Sequence, residues 1–148
     1  MSTAANTLSR LVEITPLNEP YWKSLAEGKL AYQRCPNCGH AWLPARSQCP
    51  QCLSDDREWV TASGKARLVS WIVYHHAYHD SVADRLPYTV AVVELDEGPR
   101  LTSNVVDSGD PEKLVIDQRL TLKIEREGDL FLPRFVAVPH HAVTGAAP

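Results

Sequence analysis

Leu120, Leu122 and Ile124 alternate with Thr121, Lys123 and Glu125, the period-two pattern of a strand with one buried face. Similar patterns predict strands over 67–75, 88–95, 100–106, 119–125 and 130–138. Tyr88 to Val93 is more continuously apolar, which predicts a strand covered on both sides. Asp96-Glu97-Gly98 reads as the hairpin turn between the second and third of these strands, and Gly109 to Leu114 as a brief turn or helix before the fourth. Five short strands avoid free edges by closing on themselves, so the expectation is a small barrel of the OB kind. The connection from Ala77 to Pro87 is long and carries Tyr78, His79, Asp80, Asp84 and Arg85, as functional loops often do.

The first third of the chain follows a different pattern. Met1 to Ile14 is small and polar, then mildly amphipathic through Leu8, Leu11, Val12 and Ile14, and reads as an extended arm. Asn18 is placed to cap a helix, with Glu19 at the positive end of the dipole, Pro20 in the first turn and Gly28 to end it. Leu17 and Trp22 are spaced as a hydrophobic staple. Tyr21, Trp22 and Leu25 share one side. That aromatic face either packs on its own protein or meets a partner, because so short a helix needs outside support. Lys29 to Arg34 reads as a strand, and Trp59-Val60 as another, ahead of a turn at Ser63-Gly64-Lys65. The expected division is an arm and helix over 1–30, a small metal-held ribbon over 31–60, the barrel over 61–138 and a flexible tail over 139–148. The fold class is therefore mainly β.

The ribbon is expected because of CPNCGHAWLPARSQCPQC, in which Cys35, Cys38, Cys49 and Cys52 form two Cys-x-x-Cys pairs. Each pair sits on a tight turn that aims two thiolates at one point, and two such turns supply the ligands of a tetrahedral zinc ion. A redox dithiol needs only one pair, and a disulfide framework suits a secreted chain. Iron in a rubredoxin-like centre remains the alternative metal. Four thiolates leave no open coordination position, so the site reads as structural rather than catalytic. Gly39 follows the first pair and suits a left-handed turn; Leu53 stands at the matching place after the second. Trp42, Leu43 and Pro44 offer the ribbon a small core, and Arg46 is a phosphate contact or, more commonly, a solvated cation.

Charge narrows the function. The net charge is -3, or about -5 with a zinc ion and four thiolates counted. From Thr61 onward there are nine Lys and Arg against twelve Asp and Glu, which does not provide the positive field that phosphate backbones require. Trp71 and Tyr74 fall on opposite faces of one strand and cannot form a single base-stacking platform. No apolar run has the length of a membrane span or the form of a secretory signal, so a cytoplasmic location without membrane contact is expected. His75, His76 and His79 cluster without a spacing that fixes them on one face; the expectation is one packed histidine and two solvated ones. Gly64-Lys65 lacks the rest of a phosphate loop, and no nucleophile elbow, zinc-protease helix or dinucleotide fingerprint occurs. A binding or scaffolding module fits better than an enzyme acting alone.

Tyr21-Trp22, the two cysteine pairs with Leu43-Pro44-Ala45-Arg46 between them, Trp59, Gly64, and PYTVAVVELDEGPRL over 87–101 together resemble a known family. Its members are small proteins that join a rubredoxin-like zinc ribbon to an OB fold and are found beside thiolase-like enzymes. The resemblance covers Leu17 to Val138 and departs from the family at Leu53 and at Asp117, where glycine is usual. It implies a non-catalytic accessory or scaffold subunit of a thiolase, aldolase or hydratase complex, with acyl-CoA as an expected shared ligand. A single-stranded nucleic-acid-binding OB protein is the alternative that the fold alone would suggest.

Overall fold

The computed structural model describes residues 12–76 and 86–139. The arm before Val12, the tail from His140 and most of the long connection, including Tyr78, His79, Asp80, Asp84 and Arg85, lie outside these residues.

Helix α1 (Glu19–Ala26) forms where the sequence places it. Asn18 occupies the cap position but turns its side chain backward: its Oδ1 accepts from the Thr15 amide at 2.7 Å and its Nδ2 donates to the Glu13 carbonyl at 3.0 Å. The asparagine therefore braces the approach to the helix instead of capping it. Gly28, at φ +84°, ends the helix, and Lys29 donates its amide to the Ser24 carbonyl at 2.9 Å, the left-handed stop that glycine adopts without steric cost.

Three short strands make the ribbon: β1 (Ala31–Arg34), β2 (Ala41–Trp42) and β3 (Glu58–Thr61), antiparallel in the order β2-β1-β3. The larger sheet contains β4 (Lys65–Tyr74), β5 (Tyr88–Leu95), β6 (Arg100–Ser103), β7 (Arg119–Glu127) and β8 (Leu130–Ala137), in the order β6-β5-β4-β7-β8. A bulge between Leu68 and Ser70 bends β4. The sheet curls until its ends approach, and a parallel bridge between Val105 and Phe135 joins them. Val106 donates to the Phe135 carbonyl at 2.8 Å, and Phe135 to the Asn104 carbonyl at 3.0 Å. This is the strand order and seam of an OB fold.

Three expectations shift. β4 begins at Lys65, because Gly64, at φ +87°, turns the chain and its carbonyl accepts the Leu122 amide at 2.7 Å. β6 stops at Ser103, and Val105 joins the opposite edge instead. β5 is not covered on both faces. Thr89, Ala91, Val93 and Leu95 are buried, while Tyr88, Val90, Val92 and Glu94 are only half-buried. Their neighbours on the outer side are side chains of the same sheet, since Val92 stands opposite Ser70 and Thr102, and Val90 opposite Ile72.

The core draws on both ends of the described chain. Leu68, Val93, Leu95, Leu120 and Phe135 pack with Leu25 of α1 and Leu30 ahead of β1. Leu25 is fully buried, a burial worth about 2 kcal/mol for a leucine side chain. α1 packs on β8 as well as on β1, so the helix belongs to the barrel's core as much as to the ribbon. Cys35, Trp42 and Cys49 form a separate small core.

Candidate metal centre and adjoining groove

The two knuckles face each other. The Cys35 and Cys52 sulfurs are 3.6 Å apart, as are those of Cys38 and Cys49, and all four lie within 4.8 Å of one another. A tetrahedral zinc ion with sulfur ligands at about 2.3 Å holds them about 3.8 Å apart, so the donor set fits. The turns are closed by Gly39 donating to the Cys35 carbonyl at 2.8 Å and Leu53 to the Cys49 carbonyl at 2.9 Å. Gln51 and Cys52 direct their amides at the Cys49 sulfur, each at 3.4 Å. Side chains tie one knuckle to the other: Asn37 Nδ2 donates to Ser54 Oγ at 2.7 Å and to Asp56 Oδ2 at 3.2 Å.

The thiols do not ionise alike. The Cys38 and Asn37 amides hold the Cys35 thiol below its usual range. Burial pushes Cys49 upward, yet the Cys52 and Gln51 amides outweigh it and bring it down to about 7. The Ser54 amide favours a thiolate at Cys52, but hydrogen bonding to Cys35 and burial push that thiol up to about 12. At Cys38 the His40 amide is likewise outweighed by burial and by Cys49, and the thiol is raised. The backbone amides thus favour the thiolate at Cys35 and Cys49 over Cys38 and Cys52, and a divalent cation held among the four sulfurs would favour it at all of them.

Leu53 shows the cost of lacking a second knuckle glycine. It sits at φ +66° and is 68 % exposed, against φ +80° for Gly39. A left-handed non-glycine residue costs roughly 1–2 kcal/mol, and glycine gives back about 0.5–1 kcal/mol of chain entropy. Leu53→Gly is therefore expected to stabilise the ribbon by up to about 1 kcal/mol, read as tighter metal retention against a competing chelator. Weaker retention would show that the exposed leucine contributes contacts worth more than the strain. Asp117, the other departure, also lies at positive φ, +65°, and turns this to use by pairing its carboxylate with Arg67.

Gln33 connects the ribbon to the next loop. It is fully buried, and its Oε1 accepts from Trp42 Nε1 at 2.7 Å and from the Arg46 amide at 2.6 Å. This anchors the segment through Leu43, Pro44 and Ala45. Those three residues form one wall of a groove of about 330 Å³, with Asn18, Tyr21 and Trp22 of the helix region on a second wall and Arg100, Leu101 and Thr102 of β6 on the third. Tyr21 and Trp22 stack edge to face, centroids 5.2 Å apart. Burial pushes the Tyr21 hydroxyl up to about 12. The aromatic face is thus divided: Leu25 lies inside the core, and Tyr21 and Trp22 reach the groove. Neither Gln33 nor the β6 wall was singled out by sequence reasoning, since a glutamine in a short strand carries no distinguishing pattern.

The barrel's charged face is largely self-neutralised. Glu94 Oε2 accepts from Arg67 at 3.0 Å and from Arg100 at 2.9 Å, while Arg67 also pairs with Asp117. Trp71 packs against the core, and Tyr74 pairs with Tyr88. His75 and His76 are both exposed, so neither is the packed histidine expected, and His75 lies 3.6 Å from Glu112. A basic, aromatic-lined track is not present among the described residues, which disfavours the nucleic-acid alternative. No helix among them is long and apolar enough to cross a membrane.

Comparisons with known proteins agree on both modules. The family described as ChsH2, rubredoxin-like zinc ribbon domain, matches residues 22–58, and that described as ChsH2, C-terminal OB-fold domain, matches 59–125. A DUF35 domain-containing scaffold protein of Methanothermobacter thermautotrophicus is 34% identical over 113 residues, covering 73% of this chain and 84% of that protein. A probable enoyl-CoA hydratase alpha subunit of Thermomonospora curvata is 38% identical over 124 residues, but the chain spans only 38% of its length. Among solved structures, a chain of an Ltp2-ChsH2(DUF35) aldolase superposes with a TM-score of 0.76 at 35% identity, over 85% of this chain and 98% of that one.

Proposed function

The chain belongs to the DUF35 family, which joins a ChsH2-type zinc ribbon to an OB fold, and on that premise we propose that it is a non-catalytic accessory subunit of an acyl-CoA enzyme of the thiolase, aldolase or hydratase type. The observation that carries this reading is the match over nearly the whole of a chain that belongs to an aldolase assembly. The named relatives, a scaffold protein and a hydratase subunit, support the same role.

Zinc is the metal proposed for Cys35, Cys38, Cys49 and Cys52, on the family description and the fit of the sulfur spacing. When bound, it would supply structure, since four thiolates complete its coordination. The two knuckles, the latch at Asn37 and the anchor at Gln33 then hold the 43–45 loop against α1. Bond-making would belong to the partner enzyme. Thiols reserved for a metal suit the reducing cytoplasm, which is the location proposed.

Affinity capture of the tagged chain from its native host at low salt tests the reading. The expected result is a thiolase-, aldolase- or hydratase-type subunit in fixed stoichiometry, together with one zinc per chain. Recovery of the chain by itself, with no CoA-using enzyme, would sink it.

A further inference from the structure

The groove between helix, ribbon loop and barrel has an unusual third wall. Arg100, Leu101 and Thr102 are consecutive residues of β6, so a continuous piece of the strand borders the groove. Among the described residues β6 is the outermost strand of its sheet and pairs only with β5 along this stretch. The seam with β8 begins further on, at Asn104 and Val105. Alternate residues of an antiparallel edge strand turn their N–H and C=O groups away from the sheet. Among the described residues, no backbone or side-chain group outside β5 bonds to those of Arg100, Leu101 or Thr102.

An unpaired strand edge is a template for another strand. Here it is flanked by Trp22, Leu43 and Leu101, with Tyr21 beside them. We infer that this groove takes up an extended segment of the partner enzyme, which adds to β6 as a strand and seats an apolar side chain between Trp22 and Leu43. Main-chain bonds to β6 supply affinity, and the walls supply specificity. Two features select this occupant. The groove has room for one narrow segment, and a volume near 330 Å³ lies at the low end of ligand pockets. Arg100, the one charged residue of the lining, already donates Nε to Glu94, so an anionic polymer finds no field there.

The inference rests on the accessory-subunit reading, and its test separates the two. The chain is co-expressed with the acyl-CoA enzyme that it captures, and amide exchange is compared in the free chain and the complex. Outward-facing amides among Arg100, Leu101 and Thr102 are expected to slow at least about tenfold on complex formation. Ala45→Trp, which fills the groove without removing a core side chain, is expected to weaken the complex at least about tenfold, with metal content and melting temperature unchanged. Ile116→Lys, on an exposed residue elsewhere, is expected to leave affinity unchanged.

A complex that forms without slowing those amides and tolerates Ala45→Trp would place the partner elsewhere, overturning the inference while the accessory role stands. The same protection appearing with concentration in the chain alone would assign the edge to a second copy. Protection by acyl-CoA alone would make the groove a small-molecule site; either outcome overturns the proposal. Failure of the unmodified chain to bind any such enzyme removes the accessory reading and this inference with it.

Discussion

Cys38→Ser is expected to abolish metal retention and melt the ribbon while the barrel stays folded. A structural zinc site of this type contributes on the order of 10–16 kcal/mol of apparent binding energy to the segment it holds. The ribbon has little else. Its core is Cys35, Trp42 and Cys49, and two of those three are themselves ligand candidates. The barrel core contains Leu68, Val93, Leu95, Leu120 and Phe135, none of which depends on the knuckles. The boundary between the two outcomes should fall just after Leu30. That residue is fully buried in the barrel core, and its carbonyl accepts the Ala62 amide at 2.8 Å. Amide exchange is the direct measurement: the Gly39, Cys49 and Leu53 amides should lose protection, and those of β4 and β5 should keep it. Loss of both sets in one step would show that the metal supports the whole chain. Chelation of the unmodified protein should give the same pattern and reverse on adding zinc.

The sequence announces the knuckles because thiolate ligation demands a fixed spacing, and nothing else explains four cysteines so placed. Strand alternation was equally legible in β7, where Leu120 is buried and Thr121 exposed as the period requires. Tertiary choices were not legible. Leu25 and Leu30 flank a helix end in sequence, yet both are absorbed by a barrel whose strands begin more than thirty residues later. An apolar residue reports that it will be buried, not against what. β5 misled for a related reason: Val90 and Val92 are apolar on the outer face because they stand beside Ile72 and Thr102, not because a second layer covers them. The groove was half visible. Tyr21 and Trp22 signalled an aromatic face, but the β6 edge opposite arises only from strand order, which no local pattern encodes.

Arg134→Ala is expected to destabilise the barrel by about 3–5 kcal/mol, which for a chain of this size is a large fraction of its stability. Arg134 sits on β8 with its side chain only 10 % exposed; its Nη1 donates to Glu125 Oε1 and forms an ion pair with Glu127 Oε1, both at 2.7 Å. The two carboxylates project from the same face of β7, two residues apart. Removing the guanidinium takes the shared cation away from two neighbouring, largely buried carboxylates, and Lys123, 3.4 Å from Glu125, offsets only part of their charge. The cost therefore comes from the mutual repulsion and desolvation of the carboxylates as well as from the lost attraction. Arg134→Lys keeps the cation and should recover much of the loss. Glu127→Gln in the alanine background should recover part of it, because one of two neighbouring negative charges disappears. Chemical denaturation measures all three, with a shift in midpoint at constant slope. A loss below about 1 kcal/mol for the alanine variant would class the cluster with exposed ion pairs. Arg134 also bears on the groove: α1 packs on β8, so a loosened β7–β8 hairpin should weaken partner binding through displacement of Tyr21 and Trp22. Glu127→Gln added to Arg134→Ala should then recover part of the stability and of the binding together.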